Sequence, residues 1–104
     1  DDEEAATGAD AIADEWAPTF RLLGDATRLK LLCAIHFSGQ HALTVGELAE
    51  ATGIRLATAS AALRALQAAG TVTARREGRS VFYGMRDDRV HELLHFFGAG
   101  HAGS

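Results

Sequence analysis

Apolar positions recur along this chain with two periods, and the change from one to the other divides it. Ile12, Trp16, Phe20 and Leu23 fall along one side of a helix spanning residues 9–23. Pro18 lies inside that span and either opens the helix or bends it. After Gly24, Asp25 is placed to cap a second helix, ATRLKLLCAIHF. There Leu29, Leu32, Cys33 and His36 keep helical spacing, and Leu31 and Ile35 widen the stripe into a mostly buried helix. Thr44 with Glu47 three residues on is a capping-box pattern; Leu48 and Ala49 give the short helix that follows an apolar side, and Gly53 is free to take the positive φ that ends it. Leu56, Ala59, Leu63 and Leu66 then mark a longer helix, closed by Gly70. From Thr71 the period falls to two. Residues 71–75 alternate, Glu77 and Gly78 supply a turn, and residues 80–83 alternate again, which predicts a β-hairpin with Val72, Val81 and Tyr83 facing inward. Asp87 or Asp88 caps a last helix, RVHELLHFF, whose Val90, Leu93, Leu94 and Phe97 form an i, i+3, i+4, i+7 stripe.

The stretch from Leu43 to Gly70, helix then glycine-bearing turn then helix, has the layout of a helix-turn-helix DNA reader, in which the second helix enters the major groove. With the hairpin behind it, the predicted fold is mainly α with a small β-hairpin, a winged helix-turn-helix. Residues 9–98 form that one domain. Residues 1–8 (DDEEAATG) read as a disordered acidic lead-in, and the glycine-rich residues 99–104 as a flexible tail. The last helix is apolar on a second side through Phe96, and a single chain would leave that surface wet. It is therefore expected to pair with the first helix in a homodimer seam made by Ile12, Trp16, Phe20, Val90, Leu93, Leu94 and Phe97.

A net charge of −4 over 104 residues is unexpected for a nucleic-acid binder, but its distribution alters that reading. Residues 1–51 carry a balance of −7, residues 52–86 one of +5, and residues 87–104 one of −2. A local basic footprint matters more for phosphate binding than the total. The single cysteine, Cys33, rules out an internal disulfide, weakens any thiolate-cluster metal site and fits a reducing cytoplasm. It lies within an apolar run, where a small core residue is a better reading than a ligand. No apolar run approaches the roughly 18 residues of a membrane span, so no membrane partner is expected. No nucleophile–base pairing, phosphate loop or paired acids stand out, which argues against an enzyme.

Three stretches carry a family resemblance. Residues 20–32 (FRLLGDATRLKLL), residues 48–54 (LAEATGI) and residues 63–83 (LRALQAAGTVTARREGRSVFY) resemble, in order and at the expected spacing, the opening helix, the turn and the helix-end-plus-wing of ArsR/SmtB-type bacterial repressors. The resemblance covers about residues 16–97. It implies a homodimer that binds an imperfect inverted repeat in promoter DNA, represses transcription, and lets go when a metal ion or another inducer binds. Carried over position by position, the residues facing the groove are Arg55, Leu56, Thr58, Ala59, Ser60, Ala61 and Arg64. Arg75, Arg76 and Arg79 on the wing are placed for the backbone or the adjacent minor groove; for Arg75 and Arg76 the competing reading is salt bridges to neighbouring acids. Ala61 and Ala62 stand where the family often has polar residues, so direct base readout is thin and shape and phosphate contacts carry more weight.

The effector half departs from the family pattern. The Cys-x-Cys of thiolate sensors is absent from residues 44–47. At the family's other common site, on the last helix, Asp87 matches the expected Asp, but Arg89 replaces the histidine and the second pair falls near Gly100 and Gly103. The helix carries a set of its own: Asp88, His91 and His95 at i, i+3 and i+7, with Glu92 beside them and His101 in the tail. Imidazole with carboxylate suits nickel, cobalt or zinc, and Ni2+ or Zn2+ is the expected cofactor. Paired surface histidines are the plain alternative. His36 and His41 read as capping or surface groups. The alternatives for the whole chain are a winged-helix module that binds protein, and a regulator that answers to a signal other than metal.

Overall fold

The computed structural model describes residues 2–98. The order is α1 (Asp2–Leu23), α2 (Ala26–Ser38), β1 (Leu43–Thr44), α3 (Val45–Thr52), α4 (Leu56–Ala68), β2 (Val72–Glu77), β3 (Ser80–Met85) and α5 (Asp88–Phe96). The helix starts follow the capping chemistry of the sequence. Asp25 accepts the Arg28 backbone N–H at 2.9 Å. Thr44 and Glu47 close a reciprocal capping box, the Glu47 carboxylate accepting the Thr44 N–H at 2.9 Å and the Thr44 hydroxyl the Glu47 N–H at 3.2 Å. Asp87, not Asp88, caps α5, accepting from the Arg89 N–H at 2.9 Å and from Val90. Gly53 ends α3 at φ 72°, in the left-handed region.

Leu31, Leu32 and Ile35 of α2, Leu48 of α3, Leu63 and Leu66 of α4 and Val72 of β2 form a sealed core, completed from the far end by Val90 and Leu94. α2 is the central element and packs on α1, α3, α4, β3 and α5. The hairpin register pairs Val72 with Met85, Ala74 with Tyr83 and Arg76 with Val81, which puts Val72, Tyr83 and Val81 on one face as expected.

Three features differ from the sequence reading. Residues 2–8, expected as a disordered lead-in, are the first turns of α1. Three acids, Asp2, Glu3 and Glu4, sit at the positive end of the helix dipole, and Thr7 donates to the Glu3 carbonyl at 3.0 Å. α1 continues through Pro18 as one helix, with the loss of a single intrahelical donor. A third strand, β1, was not foreseen. It pairs with β3 (Leu43 with Tyr83, Thr44 with Phe82) in a sheet of order β1-β3-β2, and two residues are too few to show a period. Residues 99–104, expected as a flexible tail, lie outside the described residues.

Candidate nucleic-acid interface

Ala59, Leu63 and Leu66 fix the rotation of α4 by burying one side of it against the core. At 100° per residue the opposite side carries Ala57, Ala61, Arg64 and Ala68, all exposed. Arg55, Leu56 and Thr58 are exposed at the N-terminal end, where a recognition helix meets base edges, and Ser60 is half-buried on the hairpin side. Ala59 corrects the expected reading surface. It is 0% exposed, because it stands four residues before Leu63 on the core side, and it cannot touch DNA. Ala57 is the alanine exposed on the outward side instead; counting from Leu63 would have found it.

The wing turns through Gly78 and Arg79, with Glu77 paired to Ser80 and Gly78 at φ 63°. Glycine first in a two-residue hairpin loop is the type II′ placement, and the positive φ is why glycine stands there. Arg75, Arg76 and Arg79 are all exposed. Arg75 reaches Glu77 at 3.8 Å with both side chains more than half exposed, an ion pair of little energetic weight that leaves the guanidinium available. Arg64 from the helix and Arg76 from the wing line the same groove, about 460 Å³, together with Ser60, Gln67, Ala74 and Tyr83. Sequence reading missed Gln67. Its signal was spacing: Ser60, Arg64 and Gln67 are i, i+4, i+7 along the flank that meets the hairpin. The +5 segment is thus folded into one surface of helix side and wing edge, arginine at several points.

Comparison with known proteins fits this geometry. Residues 25–80 match the MarR family. Over 105 residues the chain is 33% identical to the HTH-type transcriptional regulator KmtR of Mycobacterium tuberculosis, covering 95% of this chain and 78% of that one. A homodimeric winged helix-turn-helix domain from Mycobacterium bovis, described as a possible ArsR-family transcriptional regulator, superposes with a TM-score of 0.67 at 33% identity, covering 86% of this chain and 81% of its own. The chain belongs to the ArsR/SmtB family of winged helix-turn-helix regulators. The antimony-specific transcriptional repressor AntR is similar as well, with a TM-score of 0.75 at 33% identity over 84% of this chain and 77% of that one. An ArsR/SmtB regulator is a DNA-binding transcriptional regulator, not an enzyme. Among the described residues, no helix is long and apolar enough to cross a membrane.

Away from α4 and the wing, this ArsR/SmtB chain presents the face expected to pair. Ile12, Phe20 and Phe97 are more than half exposed, and Ile12, Trp16, Phe20 and Leu93 line an apolar groove of about 570 Å³ with Ala13 and Ala17. Val90 and Leu94, expected in the seam, are instead sealed in the chain's own core, because α5 packs that side of its stripe on α2. Arg89, which stands where the family's metal-binding histidine is expected, ties α1 to α5. It hydrogen-bonds the Glu15 carboxylate, and its guanidinium lies 4.7 Å from the centre of the Trp16 ring.

The expected metal set does not assemble as foreseen. Among the described residues, no three His, Cys, Asp or Glu side chains are grouped to hold a metal ion, so Asp88, His91 and His95 do not fit one as they stand; His101 lies outside the described residues. Asp88 is exposed in the first turn of α5, whereas His91 and His95 stack nearly parallel, 5° between planes and 6.5 Å between centres. His36 corrects a second expectation. It is no surface group but is 2% exposed, packed edge-on to His91 with ring centres 4.6 Å apart. Burial raises the pKa of the half-buried Cys33 thiol, which keeps the thiol protonated and suits a packing residue.

Proposed function

We propose that the chain represses transcription in the cytoplasm by binding an inverted-repeat operator as a homodimer, and that a divalent metal, nickel or zinc, is its effector. The observation that carries the DNA half is the shared groove of Arg64 and Arg76, which joins the outward side of α4 to the wing. On duplex DNA such a surface sets the α4 N-terminal end against base edges and the wing against phosphates or the minor groove. The outward side is alanine-rich, so thymine methyl contacts and DNA shape supply much of the selectivity. Arg55, Leu56, Thr58, Ser60, Ala61 and Arg64 are the proposed groove residues, and Arg75, Arg76 and Arg79 the proposed wing contacts. Two copies meet through Ile12, Trp16, Phe20, Leu93 and Phe97, whose exposed apolar surface supports an α1–α5 seam. For the effector, the support is the parallel imidazole pair His91 and His95 on α5.

A mobility-shift titration against the chain's own promoter region, run with nickel, with zinc and with a chelator, tests this. A shift that one metal weakens and the chelator restores is the expected result. No shift against any promoter fragment removes the DNA reading, and a shift indifferent to metal removes the effector.

A further inference from the structure

The N-terminal half of α4 has a restricted set of side chains with which to read a base. Between Arg55 and Arg64 the side chains that can hydrogen-bond are Arg55, Thr58, Ser60 and Arg64; Asn, Gln, Asp and Glu are absent from that stretch. In the major groove, adenine is read by Asn or Gln and cytosine by Asp or Glu. Guanine is read by Arg or Lys, and thymine by apolar contact with its C5-methyl group. This helix end is therefore equipped for guanine and for thymine. Its apolar side chains are in reach. Leu56 continues the spacing of Ala59, Leu63 and Leu66, which are sealed in the core, yet as the first residue of α4 it is 59% exposed. Ala57 beside it and Ala61 one turn on are exposed as well. Arg55 makes no side-chain cap to the helix, and it is exposed at the edge of the same patch.

We infer that Leu56, Ala57 and Ala61 form a methyl-reading patch, and that the operator is recognised through thymine C5-methyl groups in its major groove. The inference rests on the DNA reading given above and names the base that this reading leaves open. Charge selects the occupant of the patch. Arg55 and Arg64 border it, and Arg76 of the wing shares a groove with Arg64, so the surroundings of Leu56 complement a polyanion and not an apolar protein face. A methyl group asks for contact without a hydrogen bond, which is what leucine and alanine supply. The adenine opposite each thymine goes unread by this end of the helix. Gln67, the first amide side chain along α4, stands roughly 16 Å beyond Leu56 along the axis. Each methyl buried against the patch contributes about fourfold in affinity. A homodimer presents the patch to both half-sites, so one methyl lost from each multiplies to more than about tenfold.

The test is a mobility-shift titration of the full chain, wild type and Leu56→Ala, against its own promoter region made in two forms. One form carries thymidine and the other deoxyuridine throughout, which keeps every hydrogen-bonding edge and phosphate and removes the methyl groups. The expected result is that the wild type binds the uracil form at least about tenfold more weakly, with the same salt slope on both forms. Leu56→Ala should bind the thymidine form more weakly than the wild type does and show a clearly smaller ratio between the two forms. Equal wild-type affinity for both forms overturns the patch and leaves the DNA reading standing. A uracil penalty that Leu56→Ala shares in full, or one with a changed salt slope, assigns the effect to DNA shape and also overturns it. No shift with either form overturns the DNA reading and the inference together. Sedimentation without DNA covers the remaining occupant: a Leu56→Ala chain that loses self-association gives the patch to a second copy and overturns its role in reading bases.

Discussion

Gln40 takes the place of a strand neighbour to Met85. Its side-chain amide donates to the Met85 carbonyl at 2.7 Å and its amide oxygen accepts the Met85 N–H at 2.5 Å, extending by one step the pairing that His41 begins with the Tyr83 carbonyl at 3.1 Å. The exposed edge of β3 is thereby covered beyond the two residues of β1. Gln40→Ala is expected to lower stability by about 1–2 kcal/mol, read from the denaturant midpoint. Between those partners lies Gly84, where an added Cβ would stand 2.5 Å from the Gln40 amide oxygen and 2.9 Å from the His41 ring. Gly84→Ala should cost about 1–3 kcal/mol in the wild type and distinctly less in the Gln40→Ala background, since the two share one space. Additive losses would contradict this.

Rotation of the reading helix gives a second expectation. Ala59 is sealed in the core while Ala61 faces out, two positions apart. Ala59→Gln buries a polar group in a filled space and should lower stability by about 2 kcal/mol or more, with a sharp fall in melting temperature. Ala61→Gln should leave stability within about 0.5 kcal/mol of the wild type and change which operator variants are bound. Equal melting of the two would place α4 in another rotation.

Salt dependence addresses the arginines. Arg79→Ala and Arg64→Ala should each weaken DNA binding. The slope of log K against log salt should fall by about one for each phosphate left without its arginine. An unchanged slope removes that residue from the phosphate-binding set. If Arg64 reads a base instead, its loss relaxes sequence preference at one position.

The thiol of Cys33 offers a check on the core. Burial holds its pKa above the ordinary value, so at pH 8 the thiolate fraction is smaller than in an exposed thiol and alkylation should be slower. The sign for stability follows: with the folded pKa raised, this group's contribution is full below the unfolded pKa and declines as pH rises through the folded one. Alkylation of the native chain as fast as of the denatured chain would overturn it.

Helix positions, caps and hairpin were legible in the sequence because each has a local signal: Asp25, the Thr44–Glu47 pair and Gly78 act within a few residues of themselves. The wing arginines were legible for the same reason. What was not legible depended on contact between distant stretches. His36 reads as a helix-end residue until α5 closes over it, and Val90 and Leu94 read as a dimer stripe until α2 proves to be their cover. Ala59 was misassigned by family position, although its four-residue distance from Leu63 already marks the core side. β1 is an element only because β3 runs beside it.

Because Val90 and Leu94 are sealed within one chain, each copy is expected to hold its fold without a second. Assembly and folding are then separable events. On dilution the proposed dimer should come apart into single chains that keep the core of α2, α3, α4 and α5. The regulator's occupancy of DNA would in that way depend on how much of it the cell makes, well before its stability does.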